Sequence, residues 1–189
     1  MKIKTLYILL LACLTSVTLN SCDQNDYLQY DENQAYVGFA YPSYGNDSIV
    51  YSFALHPNVE EDIVKVPMKL FGYASSQDRE VGVEVIESES TAKDGVDFVI
   101  EQKRMEANAY KDSLIVKIKK SAEVETKDLV VKLRLCGNDL FAAAPIDAES
   151  FRIILTSKLT EPTGWPFGDY SVIKHKFVIQ TIGIATGYE

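Results

Sequence analysis

"LVVKLRLC", Leu129 to Cys136, decides the class of fold. Leu129, Val131, Leu133 and Leu135 fall on alternate positions, with Lys132 and Arg134 between them. Side chains along a strand point alternately to opposite faces, so this stretch has one apolar face and one basic face. A helix would scatter the same four apolar residues around its circumference. The alternation recurs through the chain: at Val37, Phe39 and Tyr41; at Ile49, Tyr51, Phe53 and Leu55; at Val64, Val66, Met68 and Leu70. It returns at Val81, Val83 and Val85, at Leu114, Val116 and Ile118, and at Phe151, Ile153 and Leu155.

Strands with one apolar face need a second sheet to cover it. Turn-rich joints such as Pro42-Ser43-Tyr44-Gly45-Asn46-Asp47 and Lys93-Asp94-Gly95 separate them. The pattern predicts an all-β, immunoglobulin-like antiparallel sandwich over residues 35–160. Pro67 has no ladder donor, which predicts an edge strand or a bulge there. After Leu159 the alternation stops. In residues 161–189, a segment rich in Pro, Gly and aromatics, Asp169 can cap a short helix with Tyr170, Ile173 and Phe177 on one face.

The 189 residues are 47% hydrophobic and 24% charged, the balance of a globular chain. The net charge of -8 and the lack of a Lys/Arg cluster argue against nucleic acid as a partner.

The amino terminus carries a different signal. Lys2 and Lys4 precede an apolar run from Leu6 to Leu19, shorter than the roughly 20 residues a membrane span needs. The order is that of an export signal over residues 1–21. Its end, Leu19-Asn20-Ser21-Cys22, resembles the bacterial lipobox. That resemblance implies lipid on Cys22, cleavage before it, and a membrane partner reached through the anchor. The alternative is an ordinary secretory signal with an incidental cysteine. Residues 22–34 read as an acidic, lipidated tether. Acids directly after such a cysteine resemble the surface-export signal of Bacteroidota lipoproteins, which implies an outer-membrane protein facing the cell exterior; in enterobacteria, Asp at that place would instead imply retention in the inner membrane. With Cys13 removed and Cys22 lipidated, Cys136 is left alone on an apolar strand, where a thiol acts as a small hydrophobe.

Two further resemblances lie in the body. "STAKDGVDF", Ser90 to Phe98, is similar to the loop of Calx-beta domains. Taken with "VPMKLFG", "DREVGVEV", "LRLCGNDLF", "EPTGWP" and "GDYSVIKHKF", it resembles the Bacteroidota lipoprotein family of unknown function numbered 4843. That resemblance implies an accessory role beside an outer-membrane nutrient receptor and its substrate-binding lipoprotein, in relatives that continue further past Tyr170-Ser171.

The Calx-beta likeness raises calcium, which needs six to eight oxygens. Asp94 and Asp97 are there, but Lys119 and Lys120 stand where further acids would be wanted, so no metal is expected and Asp97 is read as a turn residue. No cofactor is indicated. His56 and His175 lie in unrelated contexts, and no H-E-x-x-H or G-x-S-x-G occurs, so no enzyme is expected. A glycan or peptide ligand would meet exposed aromatics. The candidates are Tyr41, Tyr44, Tyr73, Trp165 and Phe167, with Trp165 weighted toward packing and Phe167 toward exposure on opposite sides of the turn. Ser48 and Ser113, in Asp-Ser-apolar tripeptides, resemble Bacteroidota O-glycosylation acceptors. The expectation is a non-catalytic accessory or ligand-binding subunit. The rival is a structural spacer or adhesion module, and a glycan hydrolase is a remote third.

Overall fold

The computed structural model describes residues 35–41, 47–142 and 148–183. Among the described residues ten strands form in chain order: β1 (Tyr36–Phe39), β2 (Ser48–Ser52), β3 (Glu61–Phe71), β4 (Arg79–Glu80), β5 (Gly82–Val85), β6 (Phe98–Gln102), β7 (Arg104–Met105), β8 (Lys111–Lys119), β9 (Leu129–Cys136) and β10 (Ser150–Thr156). One helix follows, α1 (Val172–Ile182). The strands build one sheet in the order β1-β3-β8-β6 and another in the order β2-β10-β9-β5, with β4 and β7 as a small ribbon. The result is an immunoglobulin-like β-sandwich.

The alternating residues fill its interior. Val66 and Met68 of β3, Leu114 and Val116 of β8, Leu133 of β9 and Phe151 of β10 are fully buried, while Lys65, Lys69 and Arg134 face out. Each such burial is worth roughly 1.5–3 kcal/mol, so the two four-stranded sheets carry most of the stability. Close approach also dictates one small residue. A Cβ on Gly82 would lie 2.5 Å from the Cys136 carbonyl oxygen across the β5–β9 pair, so only glycine fits.

Several details depart from the sequence reading. The sandwich is not wholly antiparallel, because β2 runs parallel to β10, with Ile49 opposite Ile153. β2 belongs to the other sheet from β1, so no hairpin sets its direction. Pro67 lies in an interior strand, not at an edge. Its carbonyl accepts from the Ala40 N–H at 2.8 Å, one rung beyond the last β1–β3 pair. The missing N–H therefore costs a bond only where β1 ends. A bulge does occur in this sheet, but between Ile100 and Gln102. Phe53–Leu55 forms a short 3-10 turn instead of continuing β2. β6, β4 and β7 were not foreseen, since their alternation is too short to register or absent.

The helix begins later than expected. Ser171, not Asp169, is the cap, and its hydroxyl accepts from the Lys174 N–H at 3.2 Å. Gly183, at φ 76°, closes the other end. The inward face is His175, Val178 and Ile179; Ile173 is 82% and Phe177 65% exposed. The aromatic rings that gather on His175 decide which side turns in.

Candidate functional site

Both ends of the sandwich can be placed from strand register. The chain enters at Ala35, and Tyr36 stands opposite Phe71, the last residue of β3. The other end is where β3 starts and β8 stops, with Glu61 opposite Lys119. β2 and β10 finish at that end too, since the Tyr51 hydroxyl donates to Asp62 Oδ2 at 2.6 Å and Leu155 is level with Tyr51. α1 lies there, against the turn after β2 and the residues after β8 and β10. The length of β3, about 35 Å at roughly 3.3 Å per residue, separates the two ends.

Trp165 is the hub of the α1 end. Its ring lies 5.0 Å from Phe167, 5.4 Å from Tyr170 and 5.2 Å from His175, each edge to face. His175 is completely buried, with its Nδ1 3.4 Å from the Tyr170 hydroxyl oxygen. These contacts hold α1 to the turn before it. Trp165 and Phe167 therefore share a side, contrary to the expectation that they diverge, because Pro166 and the left-handed Gly164 and Gly168 curl the turn. Phe167 is 42% exposed, and Trp165 is half-buried.

The other aromatics do not join them. Tyr41 stacks on Phe151 at 6.1 Å and donates its hydroxyl to the Ser150 carbonyl at 2.8 Å, so it is packed on the sandwich. Tyr73, 57% exposed, follows β3 and lies at the end where the chain enters. Tyr44 and Cys22 fall outside the described residues. Ser48 opens β2, opposite Arg152. Ser113 sits within β8 opposite Pro67, its N–H bonded to Asp112 Oδ1 at 2.7 Å.

At the Calx-beta-like turn, Asp97 is buried and its Oδ2 accepts from the Lys93 N–H at 2.7 Å. The Lys119 ammonium reaches the Gly95 carbonyl at 3.3 Å, and Lys93 pairs with Glu123 at 2.8 Å. Both ammonium groups thus lie at this turn. No group of three or more candidate ligands occurs among the described residues. Cys136 ends β9, and burial pushes its thiol above the ordinary range, which disfavours the nucleophilic thiolate. His56 stacks on Tyr51 at 5.3 Å. Burial, and then the Asp62 carboxylate, push the Tyr51 phenol up. In return the Tyr51 hydroxyl and the Ile63 amide hold Asp62 below the usual carboxylate range.

A cavity of about 220 Å³ lies between α1 and the sandwich end. Phe53, Pro57 and Ile179 give it an apolar side. Lys120, Ser157, Lys176 and Gln180 give it a polar one. Sequence reading missed these residues, since they come from separate segments and no local motif joins them.

No curated protein matches the sequence. Among solved structures the chain is similar to a Bacteroides ovatus protein with a provisional carbohydrate-binding description, at 9% identity and a TM-score of 0.46, covering 66% of this chain and 37% of that one. This chain thus spans little more than a third of that protein. It is also similar to the apo-form Calx CBD1 domain, at 15% identity and a TM-score of 0.43, covering 65% of this chain and 96% of that one. A two-domain Bacteroides fragilis protein of unknown function aligns at 14% identity and a TM-score of 0.44, covering 71% of this chain and 48% of that one. One family model, a domain of unknown function named DUF4843, matches residues 24–184, which take in the whole described sandwich and all of α1, and to that family this chain belongs.

Proposed function

We propose that this protein is a lipid-anchored, non-catalytic binding subunit at the outer-membrane surface, accessory to a nutrient receptor. One observation carries the reading: the apolar run ends in Leu19-Asn20-Ser21-Cys22 and is followed at once by Asp23-Gln24-Asn25-Asp26. Two or more acyl chains on Cys22 would anchor the protein stably. Supporting it, the chain enters the sandwich at one end, while the aromatic cluster on Trp165 and the cavity beside α1 belong to the far end. A ligand or partner approaching from outside would meet that far end first. The non-catalytic reading rests on the histidines. His175 is sealed in the ring cluster with its Nδ1 near the Tyr170 hydroxyl, and His56 is stacked on Tyr51, so both rings contact aromatic side chains; a catalytic histidine would instead engage a Ser, Thr or Cys by a hydrogen bond.

The rival reading, a spacer or adhesion module, draws on Tyr41 being packed and Tyr73 lying at the opposite end from Trp165. Two measurements separate these ideas. Cell fractionation with protease added to intact cells should find the wild type in the outer membrane and degraded from outside, and Cys22→Ser released or unprocessed. A Cys22→Ser protein that remains membrane-bound at mature mass would exclude lipid anchoring. Screening the protein against glycans and peptides then distinguishes binder from spacer.

A further inference from the structure

Two cavities lie where β2 and β10 end, and their polar groups are satisfied differently. The larger, about 440 Å³, is closed upon itself. The Thr156 hydroxyl donates to Asp128 Oδ1 at 2.6 Å, Lys158 pairs with Asp128 Oδ2 at 2.8 Å, and the Ser52 hydroxyl donates to the Lys158 carbonyl at 2.7 Å. These groups are already matched to one another.

The 220 Å³ cavity beside α1 is not matched in this way. Lys120 is paired with Glu125 at 3.1 Å. Lys176, across from them on the helix, has no acid within ion-pair distance among the described residues. The Ser157 hydroxyl is buried with no hydrogen-bond partner among the described residues. A buried hydroxyl without an acceptor costs roughly 1–3 kcal/mol, and such a group calls for an explanation. Among the described residues, then, a lysine without an acid partner and the serine that carries the unsatisfied hydroxyl line the same small space.

We propose that this cavity binds a small carboxylated molecule of about one ring or one residue. A carboxylate is the ligand that answers both groups, since it accepts from an ammonium and from a hydroxyl at once. Ser157 is a lining residue, and its hydroxyl has three staggered χ1 positions from which to reach an acceptor. The side formed by Phe53, Pro57 and Ile179 takes the C–H face of the same molecule, which a bare inorganic anion would leave wet. The Gln180 amide, also in the lining, can meet hydroxyl or amide groups of the ligand. The volume is below the roughly 300–1,000 Å³ of sites for larger ligands, so a single unit fits and a chain does not. The same chemistry occurs in a sugar acid and in the carboxyl end of a peptide. The site rests on the binding reading of the domain, but not on the lipid anchor.

The test is calorimetric titration of the detergent-solubilised full chain with D-glucuronate, N-acetylglycine and D-glucose. At least one of the two acids should bind saturably, and which one binds tells sugar acid from peptide end. Glucose should bind at least about tenfold more weakly, as expected when a charge-assisted hydrogen bond is lost. Lys176→Met should weaken the acid by about tenfold, and Ser157→Ala by several-fold. Lys174→Met, on the same helix but outside the cavity lining, should bind as the wild type does. Equal affinity for glucose and glucuronate, undiminished binding in Lys176→Met, or no saturation by either acid would each overturn the proposal. The titration is independent of cell fractionation, so the site and the lipid anchor fail separately.

Discussion

The sandwich and the C-terminal segment bury their side chains by different rules. In the sandwich every second residue of β3, β8, β9 and β10 goes inward, and the inward positions are almost wholly apolar. In the C-terminal segment the buried set is mixed. A histidine with no exposed surface sits among Trp165 and Tyr170, while the apolar Ile173 and Phe177 face out. The sandwich is thus fixed by area removed from water, summed over two faces. The C-terminal segment is fixed by a few ring contacts and two helix caps, each worth on the order of 1 kcal/mol. The region with the candidate cavity is therefore the one held by fewer and weaker contacts.

That contrast can be broken by truncation. Phe151, buried against Phe39 at 5.5 Å and Tyr41, belongs to the first region. Phe151→Ala should cost about 3–5 kcal/mol and lower a single cooperative melt, read by circular dichroism. Trp165→Ala should cost less, roughly 2–3 kcal/mol, because the residue is half-buried and less area returns to water than at Phe151. Its effect should also be local. Hydrogen exchange should speed up in Val172–Ile182 and stay slow in β8 and β9. A uniform loss of protection across both regions would mean that they are one cooperative unit.

Acid sharpens the comparison from the other side. Asp62 and Asp47 have pKa values held down in the folded state, Asp62 by the Tyr51 hydroxyl and Asp47 by Arg152, 2.6 Å away. A carboxyl whose pKa is lower folded than unfolded contributes stability above its unfolded value of 3.8, and that contribution is lost as pH falls through the folded one. The melting temperature of the sandwich should therefore drop as the pH falls below about 4, and Asp62→Asn should flatten part of that slope. An unchanged slope in Asp62→Asn would mean the Tyr51–Asp62 bond is not retained in solution. The smallest effect is expected at the outward face of α1. Phe177→Ser should stay within about 0.5 kcal/mol of wild type in a thermal melt, since the ring gives up little burial. A larger loss would show that this face is covered in solution.

Legibility followed the same division. All seven stretches with apolar alternation hold inward-facing residues of the sandwich, because a period of two is a local property of the chain. Of the strands that escaped, β4 and β7 have two residues each, too short to show a period, and β6 opens on the unbroken apolar run Phe98-Val99-Ile100, which does not alternate. Of the aromatic candidates, Trp165 and Phe167 do come together, whereas Tyr41 is packed on Phe151 and Tyr73 lies at the other end. An exposed and a packed tyrosine look alike in sequence, since the difference is made by a partner over a hundred positions away, as with Tyr41 and Ser150.

By itself, then, the sequence determined what repeats along the chain: the two-sided strands, the glycine and proline turns, and the short apolar run before Cys22. Those are set by neighbours within a few residues, where backbone geometry leaves few options. Tertiary structure decided the parallel pairing of β2 with β10, the inward turn of His175 over Ile173, and the cavity that joins Ser157 to Lys176. Each of these depends on which distant surfaces meet. Several arrangements satisfy the local pattern equally well, and the one that forms is chosen by how completely the assembled faces exclude water and pair their buried polar groups.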